Sequence, residues 1–261
     1  MFRAQDRIEV KTPAQIDAMR VAGLVVAKTL QRVAGMTKAG VTTADMDECA
    51  AASIRDEGAT PSFLGYHGFP AHICVSVNDE VVHGIPGPRR LADGDVVSVD
   101  CGAIVDGWHG DAAVTVLVGK SAVNLAELSR VTEQSLWAGL WAARAGNRLS
   151  DIGHAVESAI RSAGPQYGIV EDYVGHGIGS RMHMEPAVPN YGRPGKGPRL
   201  VPGMALAIEP MVVLGDAGVH VLDDDWTVVA SDGSYASHWE HTVAVTDDGP
   251  WVLTALDDVR L

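Results

Sequence analysis

The chain has few cysteines, no long apolar runs and fewer basic than acidic residues. There are three cysteines, an odd number, and no two of them form a C-x-x-C motif: Cys49, Cys74 and Cys101. This pattern argues against a disulfide framework and suits a reducing compartment. The net charge of −13 argues against nucleic acid as the main partner, because phosphate binding requires clusters of Lys and Arg. Without an apolar leader or a run of about twenty apolar residues, we expect a cytoplasmic chain with no membrane contact.

The composition is that of an ordinary folded protein. Hydrophobic residues make up 46% and charged residues 20% of 261 residues, enough to bury one large core. No linker or low-complexity segment divides the chain, so we expect a single domain over residues 1–261. Helical and strand patterns occur in runs without strict alternation, which predicts an α+β fold.

Four amphipathic segments predict helices in two successive pairs. The first pair begins near Thr12 and near Thr42 or Thr43, and the second covers residues 125–144 and 150–164. Strands are expected mainly in the last third, at residues 200–213, 219–222, 226–230, 237–246 and 251–253.

Two of these helical segments resemble each other. Residues 44–58 align without gaps on residues 150–164, with Asp45 on Asp151. We interpret the match as an internal duplication of a helix–helix–strand unit, which would place a ligand site between two related halves. The alternative is that two alanine-rich helices match by chance.

Residues 96–113 predict a β-hairpin with a two-residue turn at residues 106–107. That turn places Asp111 opposite Gly102, and the two-residue period of a strand returns Asp100 to the same face. Two like charges on a mostly buried sheet are costly unless a cation or a proton compensates them. The hairpin therefore predicts a metal site.

Three more residues are candidate ligands. His176 lies between glycines, Glu209 follows an apolar strand, and Glu240 begins another. Each alone is as often structural as ligating. Together with Asp100 and Asp111 they form an oxygen-rich set that suits Mn, Fe(II), Co or Zn. Four carboxylates carry enough charge for two divalent ions, roughly 3.5–4 Å apart.

Short motifs along nearly the whole chain resemble those of the type I methionine aminopeptidases of bacteria, in the M24 "pita-bread" family. The motifs are His83-Gly-Ile-Pro, Val99-Asp-Cys-Gly, His109-Gly-Asp, Gly175-His-Gly-Ile-Gly, His183-Met-Glu-Pro, Ile208-Glu-Pro-Met and Trp239-Glu-His-Thr. The short segment between His176 and Glu209 leaves no room for the type II insertion, and no N-terminal extension is expected. The resemblance implies an α+β fold with pseudo-twofold α/β halves around a central antiparallel sheet.

The resemblance also implies an activity. A metal-bridged hydroxide would attack the first peptide bond and release the initiator methionine when the second residue is small. Asp111 and Glu240 would bridge two divalent ions, Asp100 would bind one of them, and His176 with Glu209 the other. Glu209 would also be the catalytic base.

The resemblance further implies substrate contacts. His183 would donate to the peptide oxygen, and His83 would contact the substrate backbone. The wall of the methionine pocket would be Phe63, Tyr66, Phe69, Cys74, Met182 and Trp226, for which the alternative is ordinary core packing. Many bacterial relatives carry Cys at the Phe63 position and Phe at the Met182 position, so pocket dimensions and inhibitor response are open. Asn78 would help to form a monovalent-cation site.

The other histidines are interpreted as ordinary surface or core residues. They are His67, His72, His109, His154, His220, His238 and His241.

The expected partners are the N-termini of nascent polypeptides, with a transient ribosome contact and a monomeric enzyme. Two alternatives remain. One is an X-Pro aminopeptidase or prolidase of the same fold, which usually carries an extra N-terminal domain. The other is a non-catalytic pita-bread binding protein, which would have lost metal ligands.

Overall fold

The computed structural model describes residues 8–261, so the first seven residues of the expected domain lie outside it. Its α-helices are α1 (Pro13–Met36), α2 (Thr43–Asp56), α3 (Val123–Ala142) and α4 (Leu149–Ala163). A short 3₁₀ helix covers Tyr66–Gly68. The strands are β1 (Thr60–Pro61), β2 (Cys74–Val77), β3 (Glu80–Val82), β4 (Val96–Val105), β5 (Trp108–Leu117), β6 (Gly168–Ile169), β7 (Gly175–Gly177), β8 (Met184–Val188), β9 (Ala205–Ile208), β10 (Met211–Val213), β11 (Val219–Val221), β12 (Val228–Ala230), β13 (Ala236–His238), β14 (Glu240–Thr246), β15 (Gly249–Val252) and β16 (Val259–Arg260).

The predicted helix starts are confirmed by their caps. The Thr12 side chain accepts a hydrogen bond from the Gln15 N–H, and the Gln15 side chain accepts one from the Thr12 N–H. Thr42 and Asp45 form the same reciprocal pair at the start of α2. Each pair satisfies two backbone donors that a helix N-terminus otherwise leaves free.

The same backbone hydrogen bond precedes the second helix of each pair. The Gly40 N–H donates to the Leu91 carbonyl before α2, and the Gly146 N–H donates to the Leu200 carbonyl before α4. The same hydrogen bond therefore occurs at matching places in the two halves, which supports the internal duplication.

The halves share one ten-stranded antiparallel sheet. Its main path is β1-β4-β5-β14-β9-β7-β8, with β2 beside β4 and β15 between β14 and β16. Strands β4 and β5 come from the first half, and β9 and β7 from the second. Strand β14 pairs with β5 on one side and with β9 on the other, so it joins the halves.

Two predicted strands are each divided in the structure. The expected strand at 200–213 begins only at Ala205, and Glu209-Pro210 separates β9 from β10. Pro210 has no N–H for a strand ladder, which explains this break. Trp239 separates β13 from β14 and donates its N–H to the Pro210 carbonyl at 3.4 Å. The two breaks therefore face each other, next to both glutamates.

Helices cover one face of the sheet and bury the core beneath them. One apolar cluster lies under α1 and α2, and another lies under α3 and α4. Cys101 belongs to the first cluster, so its thiol points away from the face that carries Asp100, as its place in the hairpin predicts. Within residues 8–261, no helix is long and apolar enough to cross a membrane.

Candidate active site

The hairpin has the predicted register. Gly102 lies opposite Asp111, and the turn residues Asp106 and Gly107 both have positive φ, 49° and 81°. Positive φ at both positions is typical of the tight turn that matches the twist of a hairpin. Asp100 and Asp111 both line one cavity, so the two acids do lie on the same face of the hairpin.

The other three candidate ligands come from neighbouring strands of the same sheet. Glu240 is the first residue of β14 and pairs with Ala113 of β5. Glu209 directly follows β9, and His176 in β7 pairs with Ala207 of β9. The sheet therefore brings together side chains that are widely separated along the chain.

His176 is oriented as a ligand. Its Nδ1 donates to the Gly177 carbonyl at 2.9 Å, which leaves the Nε2 lone pair free for a cation. The Nε2 atom lies 3.5 Å from Glu209 Oε1 and 3.9 Å from Asp111 Oδ2. Ligand atoms of Asp111, His176 and Glu240 all lie within 4.8 Å of one another. These spacings suit donors around a shared ion.

The four carboxyl groups lack compensating charge. Burial raises the pKa of Asp100 to about 7. Burial, followed by repulsion from neighbouring acids, raises the pKa values of Asp111, Glu209 and Glu240. None of the residues that line this cavity in the described chain is Lys or Arg.

Several buried atoms of the cluster also lack hydrogen bonds. Asp100 Oδ1, Asp111 Oδ1 and Glu240 Oε1 have no partner among residues 8–261. Buried polar atoms are normally paired, and oxygen atoms left in this way are ligands that divalent cations accept. The residues therefore fit divalent metal binding.

His238 is buried, and it also lies beside the acidic cluster, which the sequence did not predict. Its Nε2 atom is buried without a hydrogen-bond partner among residues 8–261, and it lies 3.9 Å from both Glu209 Oε2 and Glu240 Oε2. Burial lowers its pKa to about 3. The sequence held one signal, because His238 and Glu240 are two residues apart in a strand-like segment. The break at Trp239 was not foreseen.

A cavity of about 180 Å³ opens beside the cluster. Every residue predicted for the pocket wall lines it: Phe63, Tyr66, Phe69, Cys74, Met182 and Trp226. The Phe69 and Trp226 rings meet edge to face, with centroids 5.1 Å apart. Tyr173, Val174 and Met211 also line the cavity and were not predicted. These residues lie in or next to the motifs around His176 and Glu209, but the motifs marked the ligands and gave no sign that the neighbouring apolar side chains face the cavity.

Both predicted substrate histidines line the same cavity. His183 Nδ1 lies 2.8 Å from the Tyr66 hydroxyl, and its ring centroid lies 4.3 Å from that of His176. Burial lowers the pKa of His183, and burial together with His183 lowers the pKa of His83 to about 4. Neutral imidazoles can donate a hydrogen bond without adding positive charge beside the metal cluster.

Asn78 lies between strands β2 and β3. It has φ of 65°, its Nδ2 donates to Asp95 Oδ1 at 3.0 Å, and its Oδ1 accepts from the Val96 N–H. It is absent from the cavity lining. Its part in a monovalent-cation site stays a prediction.

The profile of metallopeptidase family M24 matches residues 17–247. The chain belongs to metallopeptidase family M24. It is 53% identical to methionine aminopeptidase 1 of Mycobacterium tuberculosis over 258 residues, which cover 97% of each chain. It is 52% identical to methionine aminopeptidase of Clostridium acetobutylicum, over 95% of this chain and 98% of that one.

Solved structures agree with this M24 assignment. The crystal structure of methionine aminopeptidase from Thermotoga maritima superposes with a TM-score of 0.93 at 42% identity, over 95% of this chain and 99% of that one. Prolidase from Pyrococcus furiosus superposes with a TM-score of 0.76 at 21% identity, over 97% of this chain and 67% of that one. The second likeness shows the fold alone. Together they confirm the predicted pita-bread fold, and the predicted family is confirmed.

Proposed function

We propose that this M24 chain removes the initiator methionine from proteins whose second residue is small. The observation that carries the proposal is a buried cluster of four acids and a histidine beside an apolar cavity. The chain is also about half identical to methionine aminopeptidases over nearly its full length. The prolidase of similar fold is only 21% identical, which favours the methionine enzyme over the X-Pro alternative.

Divalent cations are the proposed cofactors. Asp100, Asp111, His176, Glu209 and Glu240 would hold two such ions. Bound cations would polarise the scissile carbonyl and lower the pKa of water to near neutrality. The presence of all five donors argues against a non-catalytic binding protein. Oxygen donors with one imidazole suit Mn, Fe(II), Co or Zn.

Three side chains would handle protons and the peptide. The Glu209 carboxylate would accept a proton from the attacking water and pass it to the leaving amine. With the Tyr66 hydroxyl on Nδ1, His183 has Nε2 available to donate to the peptide oxygen as negative charge develops there. His83, whose ring lies against that of Tyr173 in the cavity wall, would hold the substrate backbone.

The cavity walls support selection of a methionine side chain. Phe63, Phe69, Cys74 and Met182 are buried in one apolar cluster, against which Trp226 packs. An apolar, unbranched thioether can fill such a space by dispersion contacts without leaving a polar atom unpaired.

The test is hydrolysis of a Met-Gly-Met peptide by the metal-loaded protein. Replacing His176 or Glu209 with Ala should lower kcat/KM by more than about a thousandfold, because each change removes a proposed ligand and Glu209 is also the proposed base. Glu48→Gln is the matched control, since Glu48 is an exposed acid on α2. Wild-type turnover by either alanine variant would contradict the site assignment.

A second test concerns the residue after methionine. We expect Met-Gly-Met to be cleaved at least tenfold faster than Met-Leu-Met, because the cleft beyond the scissile bond is expected to be narrow. The comparison is made as kcat/KM on the same metal-loaded preparation. Equal values for the two peptides would contradict the proposed specificity.

We further propose that the substrates are nascent N-termini in the cytoplasm, reached by a monomer through a transient ribosome contact. The three free cysteines suit a reducing compartment. Sedimentation with ribosomes, at low and at high salt, tests the contact.

A further inference from the structure

The acidic cluster contains two positions at which three donor atoms converge. Asp111, His176 and Glu240 form one, and Glu209, His238 and Glu240 form the other. The donor atoms within each set lie within 4.8 Å of one another, and Glu240 belongs to both sets. His238 is therefore placed toward the second position as His176 is toward the first.

Glu209 has a different imidazole near each of its oxygen atoms. His176 Nε2 lies 3.5 Å from Oε1, whereas His238 Nε2 lies 3.9 Å from Oε2. His238 Nε2 lies equally far, 3.9 Å, from Glu240 Oε2. The carboxylate of Glu209 can therefore face one cation on each side.

The distances distinguish a ligand from a hydrogen-bond donor. At 3.9 Å, His238 Nε2 is too far from either carboxylate for an N–H···O hydrogen bond, which requires about 2.7–3.2 Å. Two ligands that each lie about 2.1 Å from one ion can be up to about 4.2 Å apart. The observed spacing fits two donors on a common cation.

The backbone of His238 is held firmly in place. Its N–H lies 3.1 Å from Ser98 Oγ and 3.2 Å from Thr115 Oγ1, and the Thr115 hydroxyl donates to the His238 carbonyl at 2.8 Å. These contacts connect β13 to the hairpin strands β4 and β5. The buried Nε2 atom nevertheless has no hydrogen-bond partner among residues 8–261, as expected of a nitrogen that binds a metal.

We propose that His238 is a metal ligand, whose Nε2 binds a divalent cation together with Glu209 and Glu240. This inference rests on the proposed metal-dependent function and adds a second imidazole to the expected five ligands. Imidazole suits Zn, Fe and Co better than Mg or Ca, so His238 should shift this position toward those borderline metals.

The first experiment measures metal binding without activity. Equilibrium dialysis of the metal-free protein against Co²⁺ or Zn²⁺ gives the number of ions bound and their Kd values. We expect His238→Ala to weaken one ion by at least tenfold and to leave the other unchanged. His241→Asn is the control, because His241 lies in the same segment but its Nδ1 atom forms a hydrogen bond with Thr254 Oγ1.

The His238→Gln variant tests whether His238 binds the metal or only positions Glu209 and Glu240 by hydrogen bonding. A glutamine amide can donate a hydrogen bond to Glu209 or Glu240 but is a poor ligand for a borderline metal. We expect the Gln variant to bind metal as weakly as the Ala variant. Wild-type Kd values for either variant would overturn the proposal.

A measurement on the unmodified protein covers the case in which the variants fail to fold. X-ray absorption at the cobalt edge of the doubly loaded protein counts imidazole ligands. We expect an average of one imidazole per ion, from His176 and His238 together. One imidazole for every two ions would overturn the proposal.

The two proposals can fail separately. A protein that cleaves Met-Gly-Met but shows one imidazole for every two ions would refute only the His238 assignment. A protein that shows one imidazole per ion but does not cleave the peptide would refute only the proposed function.

Discussion

At the scale of single residues, the Tyr66 hydroxyl is the hydrogen-bond partner of His183. The His183 Nδ1 atom lies 2.8 Å from this hydroxyl, and the ring packs against His176. A phenol that donates to Nδ1 fixes the tautomer with the proton on Nε2. Tyr66 therefore supports the donor that would stabilise the reacting peptide oxygen.

We expect Tyr66→Phe to lower kcat/KM on Met-Gly-Met about fivefold. One hydrogen bond contributes about 1 kcal/mol, and the phenyl ring keeps the apolar wall. The control is Tyr235→Phe, because Tyr235 packs against the core under α3 and α4. An unchanged kcat/KM in the Tyr66 variant would show that His183 needs no support from the hydroxyl.

At the scale of secondary-structure elements, α1 rests directly on the hairpin that carries Asp111. A Cβ atom added at Gly110 would lie 2.7 Å from the backbone N of Gly23 in α1. A Cβ atom added at Gly23 would lie 2.1 Å from the Leu253 carbonyl oxygen. Both positions require glycine because backbone atoms approach each other too closely for a side chain. These contacts fix the distance between α1 and strand β5, which carries Asp111.

Gly110→Ala should lower the free energy of unfolding by about 1–3 kcal/mol, because backbone atoms cannot move aside as a side chain can. It should also lower kcat/KM at least tenfold, since Asp111 is the next residue. Gly35→Ala is the matched control within α1, where an added Cβ meets nothing within 4 Å. That helical substitution should be neutral or stabilise by up to about 1 kcal/mol. Urea unfolding of the three proteins measures the free energies of unfolding, and hydrolysis of Met-Gly-Met measures kcat/KM. Equal stability of the Gly110 variant and wild type would refute the contact.

At the scale of the whole molecule, the fold concentrates uncompensated acids where its two halves meet. Burial raises the pKa of Asp100 from 3.8 to about 7 in the folded chain. A carboxyl group with a raised pKa contributes stability that is fully present below its unfolded pKa. That contribution is lost as the pH rises through the folded pKa. Without metal, the four buried acids should therefore weaken the folded protein as the pH rises past neutrality.

We expect the Tm of the metal-free protein to fall between about pH 7 and pH 8.5, and saturating Co²⁺ or Zn²⁺ to restore it. Buried histidines with lowered pKa values, such as His83, His176 and His238, increase stability as the pH rises toward about 6.5, so they act mainly below this window. Thermal unfolding with and without metal, at constant ionic strength, measures the effect. A metal-free Tm that rises over this range would contradict the explanation.

Much of the site could be predicted because its signals are local. The two-residue turn and the strand period place Asp100 and Asp111 on one face of the hairpin. Both features can be recognised from residues within one short segment of the sequence. The capping pair of Thr42 and Asp45 is equally local. The motifs around His176 and Glu209 indicated ligands, and both residues line the cavity.

By itself, the sequence determined the hairpin, the helix starts, the five candidate ligands and the family that these motifs resemble. Only the tertiary structure placed His238 beside Glu209 and Glu240, Tyr66 beside His183, and α1 against the hairpin at Gly110. Each of these depends on contacts between distant parts of the chain. Strand β13 ends at His238 and pairs with β10, which brings His238 near Glu209, and such long-range pairing leaves no local periodicity in the sequence.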